Sequence, residues 1–231
     1  MNESNATGYK FYFEIDERYV SLFEGTAFVW EALTRLPAFL QEAGVGGSNS
    51  QHSVVHPTAF VHSTAILKGS YIGPHAKIYE GAVVRDSIVG DNSVIGHASE
   101  IARSIVLDKV SIPRFDYIGA SIVGTGVRLG GMIACASRRF DSEDITIRIK
   151  GKLHRTSVKK LGSIIGDNSM IGFGVHCNPG TLIGPNTLIM PQVETQGFIP
   201  PNSLVVVNQK MKILRKQSLS GLIASHDDGD E

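Results

Sequence analysis

Two histidines, His97 and His176, are the side chains of this sequence best suited to take a proton near neutral pH. His97 and Arg114 are 17 residues apart. An arginine does not deprotonate near neutral pH, so Arg114 cannot be a base. It can hold a phosphate or carboxylate through two parallel hydrogen bonds. Asp116 lies two residues on, within Pro113-Arg114-Phe115-Asp116-Tyr117. A carboxylate there departs from a local pattern that calls for a small or apolar residue. Arg114 and Arg128 are its candidate partners, so Asp116 reads either as a structural ion pair or as part of a site. The remaining histidines, His52, His56, His62, His75, His154 and His226, read as exposed corner or loop residues. No His, Cys and acid cluster has the spacing of a metal site, so none is expected.

What must position these groups is a repeat. Valine or isoleucine recurs at Val55, Ile72, Val89, Val106 and Val123, a step of 17 residues. A second apolar column runs Val61, Ile78, Ile95, Ile112, Leu129, and a third Leu67, Val84, Ile101, Ile118. A serine follows the third column at Ser70, Ser87, Ser104 and Ser121. Hexads led by an aliphatic residue predict a parallel β-helix, an all-β solenoid whose coils stack as strands about 4.8 Å apart. Glycine after the lead aliphatic, as at Gly73, Gly90 and Gly96, is expected to serve the corners. One coil is too small to bury its own interior, so stability must come from stacking. Under this period His97 lies beside Arg114, and the column of His176 holds Glu100, Tyr117 and Ala134.

Around the repeat the chain divides in three. Residues 1–51 read as a polar tail, a short strand at Phe11 to Ile15, a helix and a linker. The helix is predicted from an N-cap at Thr26, with Phe28, Val29, Leu33 and Leu36 on one face and a break or kink at Pro37. Its expected task is to cap the open end of the first coil. Residues 52–208 form the β-helix, of about seven coils, with an insertion at 135–162. Within it Ile145, Ile147 and Ile149 alternate with polar residues ahead of Lys150-Gly151-Lys152, which predicts a protruding hairpin. The insertion is cationic and reads as an arm over a site for an anionic ligand. Residues 209–231 are a basic, then acidic, tail.

Lys plus Arg and Asp plus Glu number 22 each, so no basic field points to nucleic acid or an anionic membrane. No apolar run approaches a membrane span and the first ten residues are polar, so a cytoplasmic location is expected. Cys135 and Cys177 read as free thiols.

The segments EIARSIVLDKVSIPRFDYIGASIVG, GVRLGGMIACASRRFD, KKLGSIIGDNSMIG and CNPGTLIGP resemble the left-handed β-helix of hexapeptide-repeat acyltransferases. They are most similar to the C-terminal half of sugar-1-phosphate nucleotidyltransferases that also carry a glucosamine-1-phosphate acetyltransferase domain. The left-handed sense of the helix comes from this resemblance. The nucleotidyltransferase half has no counterpart here, so no uridylyl transfer is expected. The resemblance implies a homotrimer, with a sugar phosphate and acetyl-CoA in clefts between subunits, and no metal. It places Arg114 where that family has its basic histidine and retains Tyr117. It places Arg128 and Ser137 where asparagines are usual, Arg103 beside a usual lysine position, and Lys160 as a lysine retained in kind. Arg103, Arg114, Asp116, Tyr117, Arg128, Ser137 and Lys160 are therefore the expected substrate set, with His176 or His97 as a relocated base. Lys210, Lys212 and Arg215 are expected to meet acetyl-CoA. Three functions stay open: an acyltransferase on an amino sugar phosphate or nucleotide sugar, a sugar-phosphate-binding homologue without turnover, and a structural partner of a separate nucleotidyltransferase.

Overall fold

The computed structural model describes residues 6–46, 52–210 and 213. Their core is a triangular prism of three parallel sheets, two of eight strands and one of seven. The period sets the register: Ile72 pairs with Val89, Ile95 with Ile112, and Ile101 with Ile118. The three lead columns meet inside as one apolar core. Every strand is only two to four residues long, so packing between coils carries the stability rather than any one strand.

The recurrent serine has a definite task at the corner between the third and first sheets. The Ser87 amide donates to Ser70 Oγ (3.2 Å), Ser104 to Ser87 (3.0 Å), Ser121 to Ser104 (3.0 Å) and Ser163 to Ser121 (2.9 Å). The Ser70, Ser87, Ser104 and Ser121 hydroxyls donate to the carbonyl two residues back. A buried backbone donor that the ladder misses is satisfied at every turn.

The glycines do a different job from the one expected. The left-handed corner conformations fall instead on His75, Asn92 and Lys109, with φ of 56°, 56° and 58°. Gly90 is needed because a Cβ there would lie 2.6 Å from the Leu107 carbonyl carbon, and one on Gly96 would overlap the Pro113 carbonyl oxygen. Coil-to-coil contact, not turning, excludes a side chain.

Residues 6–46 hold no strand; Phe11 ends a 3-10 turn, Tyr9–Phe11. A 3-10 turn at Val29–Glu31 leads into the helix Ala32–Glu42, which runs through Pro37 unbroken. Thr26 is not its cap: its hydroxyl donates to the Phe23 carbonyl, while the Glu31 carboxylate accepts from the Ala27 and Phe28 amides at 2.8 and 3.2 Å. This block does not close the end of the prism. It lies along the outer face of the first sheet, where Phe11, Tyr12, Leu22, Phe23, Trp30 and Leu36 bury Ile88, Ile105, Ile122, Ile164 and Leu182 in a second core. The expected linker, 44–51, lies outside the described residues from 47 onward.

The insertion leaves later than expected. Cys135 is still paired in the third sheet, and the Leu161 amide donates to the Ser137 carbonyl (2.9 Å), closing the neck. The hairpin Thr146–Ile149 with Lys152–Arg155 is antiparallel, turning at Lys150 and Gly151 with positive φ. It does not protrude freely, because Ile145, Ile147 and Ile149 are buried in the second core. Cys135 and Cys177 are buried free thiols in paired positions of adjacent coils. Among the described residues no helix is long and apolar enough to cross a membrane.

Candidate functional site

The repeat brings the expected site residues to two neighbourhoods, divided by the width of the third sheet. The first lies at the corner between the second and third sheets. His97 and Arg114 are register partners on adjacent strands, Val94–His97 and Ser111–Arg114. His97 Nδ1 is 3.1 Å from the Glu80 carbonyl oxygen and 3.7 Å from Glu80 Oε1. A carbonyl can only accept, so Nδ1 carries the proton and Nε2 of the neutral ring keeps a lone pair. Phe115, at φ 56°, sets its ring edge-on to the imidazole with centroids 5.3 Å apart. Together with Tyr79 and Pro113, these residues line a cleft of about 480 Å³. Arg114 is exposed, and among the described residues it makes no ion pair. Arg128 follows on the outer face of the second sheet, between Ser111 and Met170.

Asp116 is not part of that cleft. It is 2% exposed and turned into the prism, and neither Arg114 nor Arg128 pairs with it. Its Oδ1 accepts from the Ile133 amide (2.9 Å), as Ser99 Oγ one coil below accepts from the Asp116 amide (3.2 Å). Its Oδ2 has no partner. Burial pushes the carboxyl up to about 6, against the pull of the Ile133 amide. Asp116 thus fills a serine's place in the interior with a group that is costly to ionise.

The second neighbourhood is the corner between the third and first sheets. Arg103, with φ 49°, has a buried Nε without a partner. Lys160 and Arg138 come from the two ends of the insertion. The guanidinium groups of Arg103, Arg138 and Arg85 hold the Lys160 ammonium below its ordinary value. Among the described residues Arg85 is paired: Glu100 Oε1 accepts from its Nη2 and Nε at 2.5 and 2.9 Å. Cations that outnumber the carboxylate paired with them suit a polyanion. Ser137 contributes its carbonyl to the neck.

Tyr117 lies between the two corners on the outer face of the third sheet, its hydroxyl 2.6 Å from where a Cβ on Gly119 would stand. That glycine lets the ring lie flat toward the Arg103 corner. His176 is on the same face, beyond Ala134 and two coils from Tyr117, and exposed. Lys210 is exposed; Lys212 and Arg215 lie outside the described residues. Among the described residues no group of three His, Cys, Asp or Glu is placed to hold a metal.

Sequence reasoning missed Glu80 and Arg85 as members of these neighbourhoods. Glu80 was visible as the residue one coil before His97, and Arg85 as the neighbour of Lys68 and Ala102 in the third sheet's last column.

The family model described as the GMPPB C-terminal domain matches residues 49–137 and 68–159. The chain is 38% identical over 107 residues to the bifunctional protein GlmU of Methanococcus maripaludis strain C7, covering 46% of this chain and 26% of that protein. It is 34% identical over 80 residues to a bifunctional sugar-1-phosphate nucleotidylyltransferase/acetyltransferase of Sulfurisphaera tokodaii, covering 35% and 20%. The chain therefore spans about a quarter or less of the length of these relatives. Among solved structures, a mutant of AntD, an N-acyltransferase from Bacillus cereus in complex with dTDP and coenzyme A, superposes with a TM-score of 0.42 at 14% identity, covering 77% of this chain and 91% of that one. Prism and repeat define a hexapeptide-repeat β-helix protein of the acyltransferase superfamily. Within that class the chain is homologous to the C-terminal acetyltransferase part of GlmU-like bifunctional enzymes, and it matches that part alone.

Proposed function

We propose that the protein transfers an acyl group from acetyl-CoA to the amine of an amino sugar phosphate or nucleotide sugar, working as a homotrimer with His97 as general base. The observation that carries this reading is the His97 ring itself. Its Nδ1 is tied to the Glu80 carbonyl, which leaves Nε2 as the acceptor in a cleft large enough for a sugar. His176 has no such orienting partner among the described hydrogen bonds and serves less well. In the reaction Nε2 removes a proton from the attacking ammonium-derived amine as the C–N bond forms. The C–S bond then breaks, and the imidazolium returns the proton to the departing thiolate. Arg114, beside the ring, supplies positive charge for the oxyanion or for an anionic substituent. Tyr117, Arg103 and Lys160 hold the phosphate end.

A second reading is supported by the distance between the two corners. The cation cluster lies across the third sheet from His97 in one chain, so a neighbouring copy is needed to bring a cationic corner against a cleft. Without that juxtaposition the protein binds its sugar phosphate and does not turn it over. Thiol release from acetyl-CoA, followed across a panel of amino sugar phosphates and nucleotide sugars, tests the first reading. Turnover that His97→Ala abolishes and His176→Ala spares supports it. Calorimetric binding with no thiol release for any acceptor would replace it with the second.

A further inference from the structure

The hairpin of the insertion has two unlike faces. Ile145, Ile147 and Ile149 are buried in the second core. The antiparallel register, Thr146 with Arg155 and Arg148 with Leu153, sets those four side chains on the opposite face, and all four are exposed. Residues 145–160 carry Arg148, Lys150, Lys152, Arg155, Lys159 and Lys160 and no Asp or Glu. In a chain whose formal charges sum to zero, this is a local excess that acids elsewhere balance.

The acids of the insertion itself do not balance it. Asp141 pairs with Arg139. Among the described residues Arg138, Arg148, Lys152, Arg155, Lys159 and Lys160 make no ion pair. Arg148 Nη1 donates to the Gly151 carbonyl (2.8 Å), which holds the guanidinium at the turn. Toward the neck the excess runs into the corner of Arg103 and Arg138, which already crowds the Lys160 ammonium.

The complement is in the same sequence. Residues 217–231 hold Asp227, Asp228, Asp230 and Glu231 with no Lys or Arg, and the apolar pair Leu222-Ile223 precedes the acids. They lie outside the described residues. Chain leaving Lys210 can place Asp227 up to about 60 Å away, at ~3.3–3.6 Å per residue. A sheet of eight strands is about 34 Å tall at ~4.8 Å per step, so the acids can reach the insertion.

We propose that residues 222–231 dock on the outward face of the insertion of their own chain, carboxylates against Arg148, Arg155, Lys159 and Lys160 and Leu222-Ile223 against Leu153, and so compete with anionic ligands for the cationic corner. Each exposed ion pair is weak, but a tethered segment makes several at a high effective concentration. The inference rests on the reading above only in taking that corner as the seat of an anion, and it needs no turnover.

Carbodiimide, which joins a carboxylate to an amine in direct contact, tests the docking on the full chain. Cross-links from Asp227, Asp228, Asp230 or Glu231 to Lys152, Lys159 or Lys160 are expected, within single chains in a mixture of isotope-labelled and unlabelled protein, and fewer at high salt. Calorimetry with inorganic pyrophosphate tests the competition. The full-length variant Asp227→Asn/Asp228→Asn/Asp230→Asn/Glu231→Gln should bind it about fivefold to tenfold more tightly than the parent at low salt. Arg148→Gln/Arg155→Gln should also tighten it, about threefold, although this variant has lost positive charge. General electrostatics predicts the opposite sign there. Cross-links confined to Lys210, Lys212 and Lys216, cross-links between differently labelled chains only, or an Arg148→Gln/Arg155→Gln variant that does not gain affinity for pyrophosphate overturns the proposal. Thiol release is untouched by such a result, and its absence would remove the acyl-transfer reading while leaving this contact in place.

Discussion

The Nδ1 atom of His97 stands 3.1 Å from the carbonyl oxygen of Glu80, one coil below it. The backbone of one turn thereby sets the tautomer of a side chain on the next. Because that acceptor is main chain, substituting Glu80 leaves it in place. Glu80→Gln is expected to keep turnover within about threefold, while His97→Ala loses about a hundredfold or more, the usual share of a general base. Steady-state rates with acetyl-CoA check both. A Glu80→Gln variant as damaged as His97→Ala would move the orienting role to the carboxylate 3.7 Å away.

Asp116 links stability to pH. Its folded carboxyl is raised from 3.8 to about 6, so between those values the folded chain holds a proton that the unfolded chain has released. Stability therefore falls as pH rises through that window, by about 3 kcal/mol for this group. Asp167, raised to about 6 by its own burial under the N-terminal block, acts in the same direction. Asp116→Ser keeps an acceptor for the Ile133 amide, as Ser99 does one coil below, and removes the charge. The variant should unfold at higher urea than the parent at pH 8, with the gap closing by pH 4. An unchanged gap across that range would show that Asp116 does not titrate as described.

Arg18 fastens the N-terminal block to the prism. Its guanidinium bridges Asp91 Oδ2 at 2.5 Å and Asp108 Oδ2 at 2.6 Å, and Tyr19 donates to Asp108 Oδ1 at 2.9 Å. Arg18→Ala leaves two corner aspartates without their cation and is expected to cost about 1–3 kcal/mol. The loss should be local. Hydrogen exchange should quicken over residues 9–42 while amides of the central coils, such as Ile112 and Ile118, keep their protection.

Cys135 and Cys177 are paired one above the other in the interior, and the hydrogen bond with Cys177, followed by burial, pushes the Cys135 thiol up. Neither thiol should react with Ellman's reagent in the folded protein, and both should react at once in denaturant. Rapid labelling of the native protein would show that the coils around the insertion open.

Where the sequence was informative, it was so because one period imposes one environment on many residues. The columns led by Val55, Val61 and Leu67 gave the three walls, and Ile145, Ile147 and Ile149 gave the hairpin. The docking of the N-terminal block was equally present and went unread. The column just before the first lead residues runs Val54, Tyr71, Ile88, Ile105, Ile122, Ile164, Leu182 and Phe198, apolar throughout although it faces outward. An outward column with no polar member must be covered. The comparable column of the second sheet includes Lys77, Ser111 and Arg128 and stays open. Arg18 was harder to foresee, because it acts as a single residue across a separation of 90 residues that no periodicity records, whereas Glu80 stands one period before His97. Asp116 misled for a different reason. Its charge suggested a partner arginine, whereas its position called for the backbone acceptor that Ser99 supplies one coil below.

The excursion after Ser137 leaves the stacking rule intact: Ser163 donates to Ser121 across 42 residues with the same geometry that Ser121 uses toward Ser104 across 17. The serine ladder does not register how much chain has been spliced in; outside it, the hairpin's Ile145, Ile147 and Ile149 pack on the later coils and any replacement must keep them. The corner is in effect a socket. Cassettes of different length and chemistry could be exchanged there, altering what the molecule recognises while the scaffold that presents them stays fixed.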